Sequence, residues 1–195
     1  MVLAGGRGLR MGGVDKGWIE LAGRPLIAHV LARFAPQVSE VLISANRNVE
    51  RYSSLGYMVI TDHVPGDFSG PLAGLRAALS HAHFDLVCTV PCDSPTLPVD
   101  LVARLREALQ ITGAQLAVAR TTDRVHPVFA LYQRELRSSL DPYLAAGERT
   151  VHAWQKRQRG VEVSFDDVPT AFDNINTPAD LERLQRGPGE SLQTP

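Results

Sequence analysis

The chain has 195 residues, of which 44% are hydrophobic and 21% are charged, and its formal net charge is −1. These values suit one globular domain, and the near-zero charge argues against nucleic acid or a membrane surface as the main partner. The sequence shows no secretory signal and no apolar run long enough to span a bilayer. Its two cysteines, Cys88 and Cys92, do not make a disulfide framework. We therefore expect a cytoplasmic protein.

Apolar segments alternate with segments of helical spacing through the first half of the chain. The apolar segments predict strands at residues 1–4, 40–45, 57–61 and 84–90. Between them, apolar residues recur every three or four positions and predict two helices, one from Leu26 to near Pro36 and one that opens at Pro71. A short extended piece at residues 18–21 precedes the first of these helices.

The second half of the chain continues with helices and shorter strands. The patterns predict helices at residues 99–110, 136–146 and 149–158, and strands at 116–119, 128–131 and 161–165. The last helix is predicted to begin at Pro178, with Thr177 as its N-cap and Asp180 completing a capping pattern. Residues 1–186 are expected to form a single domain, and residues 187–195, rich in glycine, proline and polar side chains, a disordered tail.

This alternation predicts a three-layer α/β/α, Rossmann-like domain around a mostly parallel, doubly wound sheet. In such sheets, ligands bind at the carboxyl ends of the strands. Four polar features follow predicted strands: the loop after Ala4, then Asn46, Asp62 and Asp93. We expect them to meet at one rim of the sheet, which makes that rim the predicted binding site.

The loop that follows the first strand has the composition of an anion-binding turn. It contains five glycines and three cations, Arg7, Arg10 and Lys16. Glycine lets backbone amides approach a ligand closely, and arginine suits forked contacts with phosphate oxygens. Neither a dinucleotide fingerprint nor a Walker loop fits, because Met11 replaces a required glycine and Gly17 follows the lysine where serine or threonine is needed. The loop predicts a polyphosphate site of another kind; the alternative is a flexible basic turn without a ligand.

Asp93 follows the most apolar predicted strand and lies between two prolines, Pro91 and Pro95. A carboxylate at a strand end, opposite a phosphate-binding loop, is suited to hold Mg²⁺, which often binds one or two carboxylates together with substrate phosphates. We therefore predict Mg²⁺ as the cofactor and Asp93 as its ligand. The alternative is that Asp93 caps the turn before the next helix.

Three motifs together resemble one known family. They are Leu3-Ala4-Gly5-Gly6 with Arg10-Met11-Gly12-Gly13 and Asp15-Lys16-Gly17, then Pro91-Cys92-Asp93-Ser94-Pro95, and then Asn174-Ile175-Asn176-Thr177-Pro178. With them, the chain from Val2 to about Leu184 resembles the molybdenum cofactor guanylyltransferases. The first motif alone indicates only a nucleotidyltransferase, because sugar-nucleotide enzymes have similar loops, whereas the combination is more specific. Residues 1–186 would then form the nucleotidyltransferase domain.

The resemblance implies transfer of GMP from GTP to the terminal phosphate of molybdopterin, with release of pyrophosphate and formation of a guanine dinucleotide cofactor. It implies transient contact with cofactor-insertion proteins or molybdenum apo-enzymes, and we expect a monomer. The implied nucleotide-binding residues are Leu3, Ala4, Gly5, Gly6, Arg7, Lys16, Asn46, Asp62, Gly70, Gly74 and Asp93, and those of the pterin side are Asn174 and Asn176. Arg10, Lys16 and Asp93 are expected to carry the catalysis by neutralising charge on the phosphates.

Three other functions stay open at this stage. A cytidylyltransferase that acts on the same cofactor would share the loop and the aspartate. A sugar-1-phosphate nucleotidyltransferase would be expected to have a larger sugar pocket, and a non-catalytic cofactor carrier would need no Mg²⁺ ligand. The role of His126 also stays open: it either touches the pterin side or is an ordinary strand-edge histidine. The first strand, with only Met1 and Val2 before Leu3, is expected to be unusually short.

Overall fold

The computed structural model describes residues 1–4, 13–61 and 70–186. These residues form nine β-strands: β1 (Val2–Leu3), β2 (Glu20–Leu21), β3 (Arg24–Pro25), β4 (Leu42–Ser44), β5 (Met58–Ile60), β6 (Leu86–Pro91), β7 (Leu116–Thr121), β8 (Arg124–Gln133) and β9 (Gly160–Ser164). They also form seven α-helices: α1 (Leu26–Phe34), α2 (Val49–Ser53), α3 (Pro71–His81), α4 (Leu101–Thr112), α5 (Arg137–Ala145), α6 (Val151–Gln155) and α7 (Pro178–Arg186). The centre of the glycine loop, Asp62 and the predicted tail lie outside the described residues.

Seven of the strands form one central sheet in the order β5-β4-β1-β6-β8-β7-β9. β8 runs antiparallel to its two neighbours, and every other neighbouring pair is parallel. β1 lies between β4 and β6, where Val2 pairs with Ile43 on one side and with Val90 on the other. The predicted mostly parallel sheet is therefore confirmed, and β1 is as short as the sequence indicates.

Helices cover both faces of the sheet and bury two separate cores. The core on one face contains the apolar sides of α1 and α4, including the fully buried Leu105. The core on the other face contains residues of α3, α5 and α6, including Leu75 and Trp154. Successive residues of a strand point to opposite faces, so Val2 belongs to the first core and Leu3 packs against the second. A sheet between two helical layers is the predicted α/β/α fold.

The strand predicted at residues 128–131 is longer in the structure and contains a bulge. The pairing of β7 with β8 shifts between Val118 and Ala119, so that residues 127–129 of β8 have no partner on β7. Pro127 has no N–H for the strand ladder, and its carbonyl accepts a hydrogen bond of 2.8 Å from Nε2 of the buried Gln155. Because β8 is antiparallel, its first residues lie at the carboxyl ends of β6 and β7, on the rim where the site is predicted.

β2 lies within the extended piece predicted at residues 18–21, but the sequence patterns predict neither its hairpin with β3 nor the helix α2. Each hairpin strand has two residues and α2 has five, which is too short for a hydrophobic period to be recognised. Asn48, with a φ of 51°, leads into α2 and turns the chain so that Tyr52 is buried. No described helix has the length and apolar character needed to cross a bilayer.

Candidate active site

Lys16 and Asp93, both predicted to bind the nucleotide, form an ion pair at the carboxyl-terminal rim of the sheet. Lys16 opens a short 3₁₀ turn at residues 16–18, and Asp93 lies just beyond the end of β6. Lys16 Nζ is 2.9 Å from Asp93 Oδ2, and the two side chains are 21% and 9% exposed. Charges that are shielded from water interact more strongly than surface charges. The pair therefore fixes the end of the glycine loop against the turn after β6.

The segment of residues 174–176 lies against the same turn. Asn176 Oδ1 accepts a hydrogen bond of 2.6 Å from Lys16 Nζ. Ser94 Oγ donates to Asn174 Oδ1 at 2.7 Å, and a backbone N–H of the segment donates to the carbonyl of Asp93 at 2.9 Å. Three distant parts of the sequence thereby meet around one ammonium group.

The start of α7 holds this segment in place through its N-terminal cap. Asp180 Oδ2 accepts hydrogen bonds from the backbone N–H groups of Asn176 and Thr177, at 3.1 and 2.9 Å. In return, the backbone N–H of Asp180 donates to Thr177 Oγ1 at 3.2 Å. These hydrogen bonds, with that from the Thr177 side chain foremost, lower the pKa of Asp180. The predicted capping pattern is present, and it restrains Asn176 beside the ammonium of Lys16.

On the other side of Lys16, Asp15 is buried and held by residues of α2 and the turn before it. Asp15 Oδ1 accepts a hydrogen bond of 2.5 Å from the Tyr52 hydroxyl, and Oδ2 accepts one of 2.9 Å from Asn48 Nδ2. Arg47 donates to the two carbonyls that precede Asp15, at 3.0 and 3.2 Å. Burial is the main cause that raises the pKa of Tyr52, and the nearby Cys92 and Asp15 raise it further. The hydroxyl of Tyr52 therefore remains a donor.

Sequence reasoning missed Asp15 as a residue that organises the site. The available signal is a carboxylate inside an otherwise cationic loop, directly before Lys16. That signal becomes interpretable only when α2 is known, because both side-chain donors that bind Asp15 come from the chain around α2.

Two glycines are fixed by close packing in this region. A Cβ on Gly17 would lie 2.5 Å from the Tyr52 hydroxyl oxygen, and a Cβ on Gly74 would lie 2.5 Å from Ser44 Oγ. Gly17 therefore leaves the space that Tyr52 needs, and Gly74 lets α3 approach β4. Gly74 lies on the buried side of α3, while Gly70, at the exposed N-cap of this helix, has a φ of 73°.

The remaining predicted residues lie on the same rim or outside the described residues. Leu3 ends β1, and the backbone N–H of Ala4 donates to a carbonyl of the neighbouring strand β4 at 2.8 Å. Asn46 is half-buried just after β4. The predicted site residues outside the described ranges are Gly5, Gly6, Arg7, Arg10 and Asp62. The structure thus brings Lys16, Asp93, Asn174 and Asn176 into one centre, and the roles of all the predicted site residues stay predictions.

A polar groove of about 360 Å³ lies beside this centre. The start of β8, the 3₁₀ turn at residues 169–172 and the start of α7 line it. Asn174 and Asn176 are among the lining residues, so the groove is continuous with the ion pair of Lys16 and Asp93. Arg124 also lines the groove and lies 4.0 Å from a carboxylate oxygen of Asp173.

His126 forms part of the groove wall and is 6% exposed. Its ring stacks on Phe172 with a centroid distance of 4.5 Å, and its Nε2 lies 3.0 Å from Thr121 Oγ1. Burial, followed by the nearby positive charge of Arg124, lowers the pKa of His126 to about 4. The ring is therefore neutral at neutral pH, and Phe172 covers one of its faces.

Asp93 fits a divalent metal ion only together with ligands from a substrate. The described residues contain no group of three or more His, Cys, Asp or Glu side chains that could hold a metal ion. Asp93 supplies one carboxylate, and the amide oxygen of Asn176 is close to it across Lys16. Cys92 is no alternative ligand, because burial raises the pKa of its thiol and keeps it protonated. One carboxylate with substrate phosphates is a common way for proteins to bind Mg²⁺.

Known proteins resemble this chain over nearly its whole length. The family model of the MobA-like NTP transferase domain matches residues 1–161. The molybdenum cofactor guanylyltransferase of Shewanella putrefaciens is 48% identical over 186 residues, which covers 95% of this chain and 93% of that protein. The protein of the same name from Ralstonia nicotianae is 48% identical, with 94% of each chain covered.

A solved structure agrees with these relatives. Molybdopterin-guanine dinucleotide biosynthesis protein A from Archaeoglobus fulgidus superposes with a TM-score of 0.80 and is 26% identical, with 95% of each chain covered. The family match includes the segments that supply Lys16 and Asp93, and the matched relatives extend over almost the full chain. The chain is therefore a nucleotidyltransferase and belongs to the MobA-like NTP transferase family, among the molybdenum cofactor guanylyltransferases.

Proposed function

We propose that this protein transfers GMP from GTP to the terminal phosphate of molybdopterin, releasing pyrophosphate and forming the guanine dinucleotide cofactor. The observation that supports this most is the ion pair of Lys16 with Asp93, which Asn176 joins through a hydrogen bond. It provides charged groups of both signs at the point where the predicted nucleotide side meets the groove. The names of the relatives supply the choice of guanine and of the molybdenum cofactor.

We assign the nucleotide side of the site to the glycine loop and to the loops after β4 and β5. In this proposal, the backbone amides of the glycine loop bind the triphosphate, and Arg7 and Arg10 add positive charge. Asn46, Asp62 and the segment of residues 70–74 contact the guanine nucleoside. This arrangement follows the rule that ligands of doubly wound sheets bind at the carboxyl ends of the strands.

The proposed reaction depends on positioning and on charge neutralisation. Asp93 would hold Mg²⁺ together with phosphate oxygens of the nucleotide, and bound Mg²⁺ would neutralise part of their charge. The acceptor phosphate attacks the α-phosphorus of GTP in line with the leaving pyrophosphate. Lys16, Arg7 and Arg10 stabilise the negative charge that leaves with pyrophosphate. No covalent enzyme intermediate is required, because the attacking phosphate is already ionised.

The acceptor side comprises the polar groove with Asn174 and Asn176. Its volume of about 360 Å³ lies in the range of small-molecule sites. The amide groups of the two asparagines can both donate and accept hydrogen bonds, as the edge of a pterin requires. The ring of His126, which is neutral and mostly buried against Phe172, adds no charge to the groove wall.

Pyrophosphate release tests this function directly. Purified protein with GTP, Mg²⁺ and molybdopterin is expected to release pyrophosphate, and replacement of GTP by CTP is expected to abolish most of the release. A cytidylyltransferase would show the opposite preference, and a carrier of finished cofactor would release none with either nucleotide.

Asp93→Asn is expected to lower kcat/KM by about 100-fold or more, because it removes the charge that would hold Mg²⁺. The matched control is Asp85→Asn, which changes an aspartate just before the amino end of the same strand, where the side chain is 95% exposed. We expect this control to retain wild-type turnover. Near-normal Mg²⁺-dependent turnover of Asp93→Asn would contradict the assignment of Asp93.

A further inference from the structure

The ammonium group of Lys16 contacts one oxygen of the Asp93 carboxylate, the proposed metal ligand. Lys16 Nζ is 2.9 Å from Asp93 Oδ2, which is the distance of a charge-assisted hydrogen bond. A second hydrogen bond, of 2.6 Å to Asn176 Oδ1, keeps the ammonium in this position. An ammonium and a divalent cation repel each other when both lie beside one carboxylate, so they compete for Asp93.

We propose that Lys16 is a built-in competitor that prevents Asp93 from holding a divalent cation unless a nucleotide triphosphate binds as well. The inference rests on the proposed role of Asp93 as the metal ligand. A triphosphate brings the negative charge that can receive Lys16 when the cation takes its place on Asp93. Charge is balanced in both arrangements, because Lys16 pairs first with the carboxylate and then with phosphate oxygens.

The composition of the site makes such competition effective. Within the described residues, a metal ion at Asp93 finds no cluster of further carboxylates, and one carboxylate by itself binds Mg²⁺ or Mn²⁺ weakly. Asp15 precedes Lys16 directly, but its two oxygens are occupied by Tyr52 and Asn48. A single lysine that is anchored by a second acceptor is therefore sufficient to outweigh a free divalent cation at this position.

The test is the affinity of the nucleotide-free protein for Mn²⁺, measured from the electron paramagnetic resonance signal of free Mn²⁺. Lys16→Met keeps an unbranched side chain, one atom shorter, and removes its charge. This variant is expected to bind Mn²⁺ about tenfold more tightly than the wild type, since about one charge-assisted hydrogen bond no longer has to be displaced. Lys156→Met is the matched control: it changes the only other lysine of the sequence, an exposed residue just after α6. This control is expected to bind Mn²⁺ as the wild type does.

The double variant Lys16→Met/Asp93→Asn is expected to lose the gain in affinity. Unchanged Mn²⁺ binding by Lys16→Met, or a gain that persists in the double variant, would overturn the inference.

Thermal denaturation provides a second measurement, because Lys16→Met leaves the buried Asp93 carboxylate without its cation and is expected to reduce stability. Mn²⁺ without nucleotide should then raise the melting temperature of Lys16→Met more than that of the wild type. An equal rise in both proteins would also overturn the inference.

The failure of this inference can be told apart from a failure of the proposed function. If Asp93→Asn abolishes pyrophosphate release from GTP while Lys16→Met leaves Mn²⁺ binding unchanged, the proposed function stands and the competition is refuted. If Asp93→Asn retains Mg²⁺-dependent release, the role of Asp93 as metal ligand is refuted and the competition with it.

Discussion

The buried hydrogen bond between Tyr52 and Asp15 is expected to contribute to both stability and turnover. Tyr52 is fully buried, and its hydroxyl lies 2.5 Å from Asp15 Oδ1. Tyr52→Phe removes only this oxygen and leaves the ring against Trp18, at a centroid distance of 5.2 Å. Asp15, which is 8% exposed, then loses one of its two short side-chain hydrogen bonds and keeps the one from Asn48.

The magnitude follows from the charge and burial of the acceptor. A hydrogen bond to a charged group contributes about 1.5–3 kcal/mol to stability. We expect Tyr52→Phe to lower the free energy of unfolding by about 2 kcal/mol, which for a chain of this length lowers Tm by roughly 4–8 °C. Because Asp15 precedes Lys16, the change should also lower kcat of GTP turnover, with a smaller effect on KM.

Urea denaturation followed by tryptophan fluorescence measures the stability, and pyrophosphate release measures the turnover. Tyr57→Phe, on a half-buried tyrosine outside this cluster, is the control and is expected to stay within about 0.5 kcal/mol of the wild type. Asp15→Asn and the double variant complete a thermodynamic cycle, for which we expect an interaction energy of about 1 kcal/mol or more. Equal losses in Tyr52→Phe and Tyr57→Phe, or strict additivity in the cycle, would refute the reasoning.

Three further outcomes are expected from other parts of the fold. Gly74→Ala should lower the free energy of unfolding by about 1–3 kcal/mol, because the added Cβ would lie 2.5 Å from Ser44 Oγ. Adding Ser44→Ala to this variant should restore part of the loss. An unchanged free energy of unfolding in urea would contradict the close packing. The wild type should lose stability as the pH falls from about 6.5 towards 4, by about 1–2 kcal/mol at pH 5. The reason is that His126 in the unfolded chain takes up a proton in this range, whereas His126 in the folded protein, with a pKa of about 4, does not. His126→Phe should lack this contribution, and equal slopes of unfolding free energy against pH in the two proteins would contradict it. Gln155→Leu should cost about 1–3 kcal/mol in thermal or urea denaturation, because the Pro127 carbonyl in the β8 bulge loses its shorter hydrogen bond and keeps only the one of 3.4 Å from the Tyr132 hydroxyl. A wild-type transition would show that the bulge does not depend on Gln155.

The position of Asp93 could be predicted because strand ends are recognised locally. An apolar segment followed by a polar turn indicates where a buried strand stops, and parallel strands stop at the same edge of a sheet. The sequence therefore predicts Asp93 near the end of the glycine loop, and the structure places it 2.9 Å from Lys16 Nζ. The prediction of Asn174 and Asn176 rests on family resemblance alone, because no local pattern indicates that Asn174 bonds to Ser94, 80 positions earlier.

α2 and the bulge of β8 could not be predicted in this way, because each depends on contacts between distant residues. The five residues of α2 are positioned by the hydrogen bond of Tyr52 to Asp15, 37 positions earlier. The bulge at Pro127 is held by Gln155, 28 positions later. Local propensity and hydrophobic period describe neighbours within a short window, so tertiary contacts of this kind are outside their reach.

The hydrogen bond between Lys16 and Asn176 joins residues that are 160 positions apart. During translation, every strand of the central sheet is therefore synthesised before the ammonium can meet this acceptor, since β9 ends at Ser164. A nascent chain released at that stage would contain Lys16 and Asp93 but lack Asn174 and Asn176. The order of synthesis on the ribosome thus delays assembly of the complete centre until the segment before α7 has emerged from the exit tunnel.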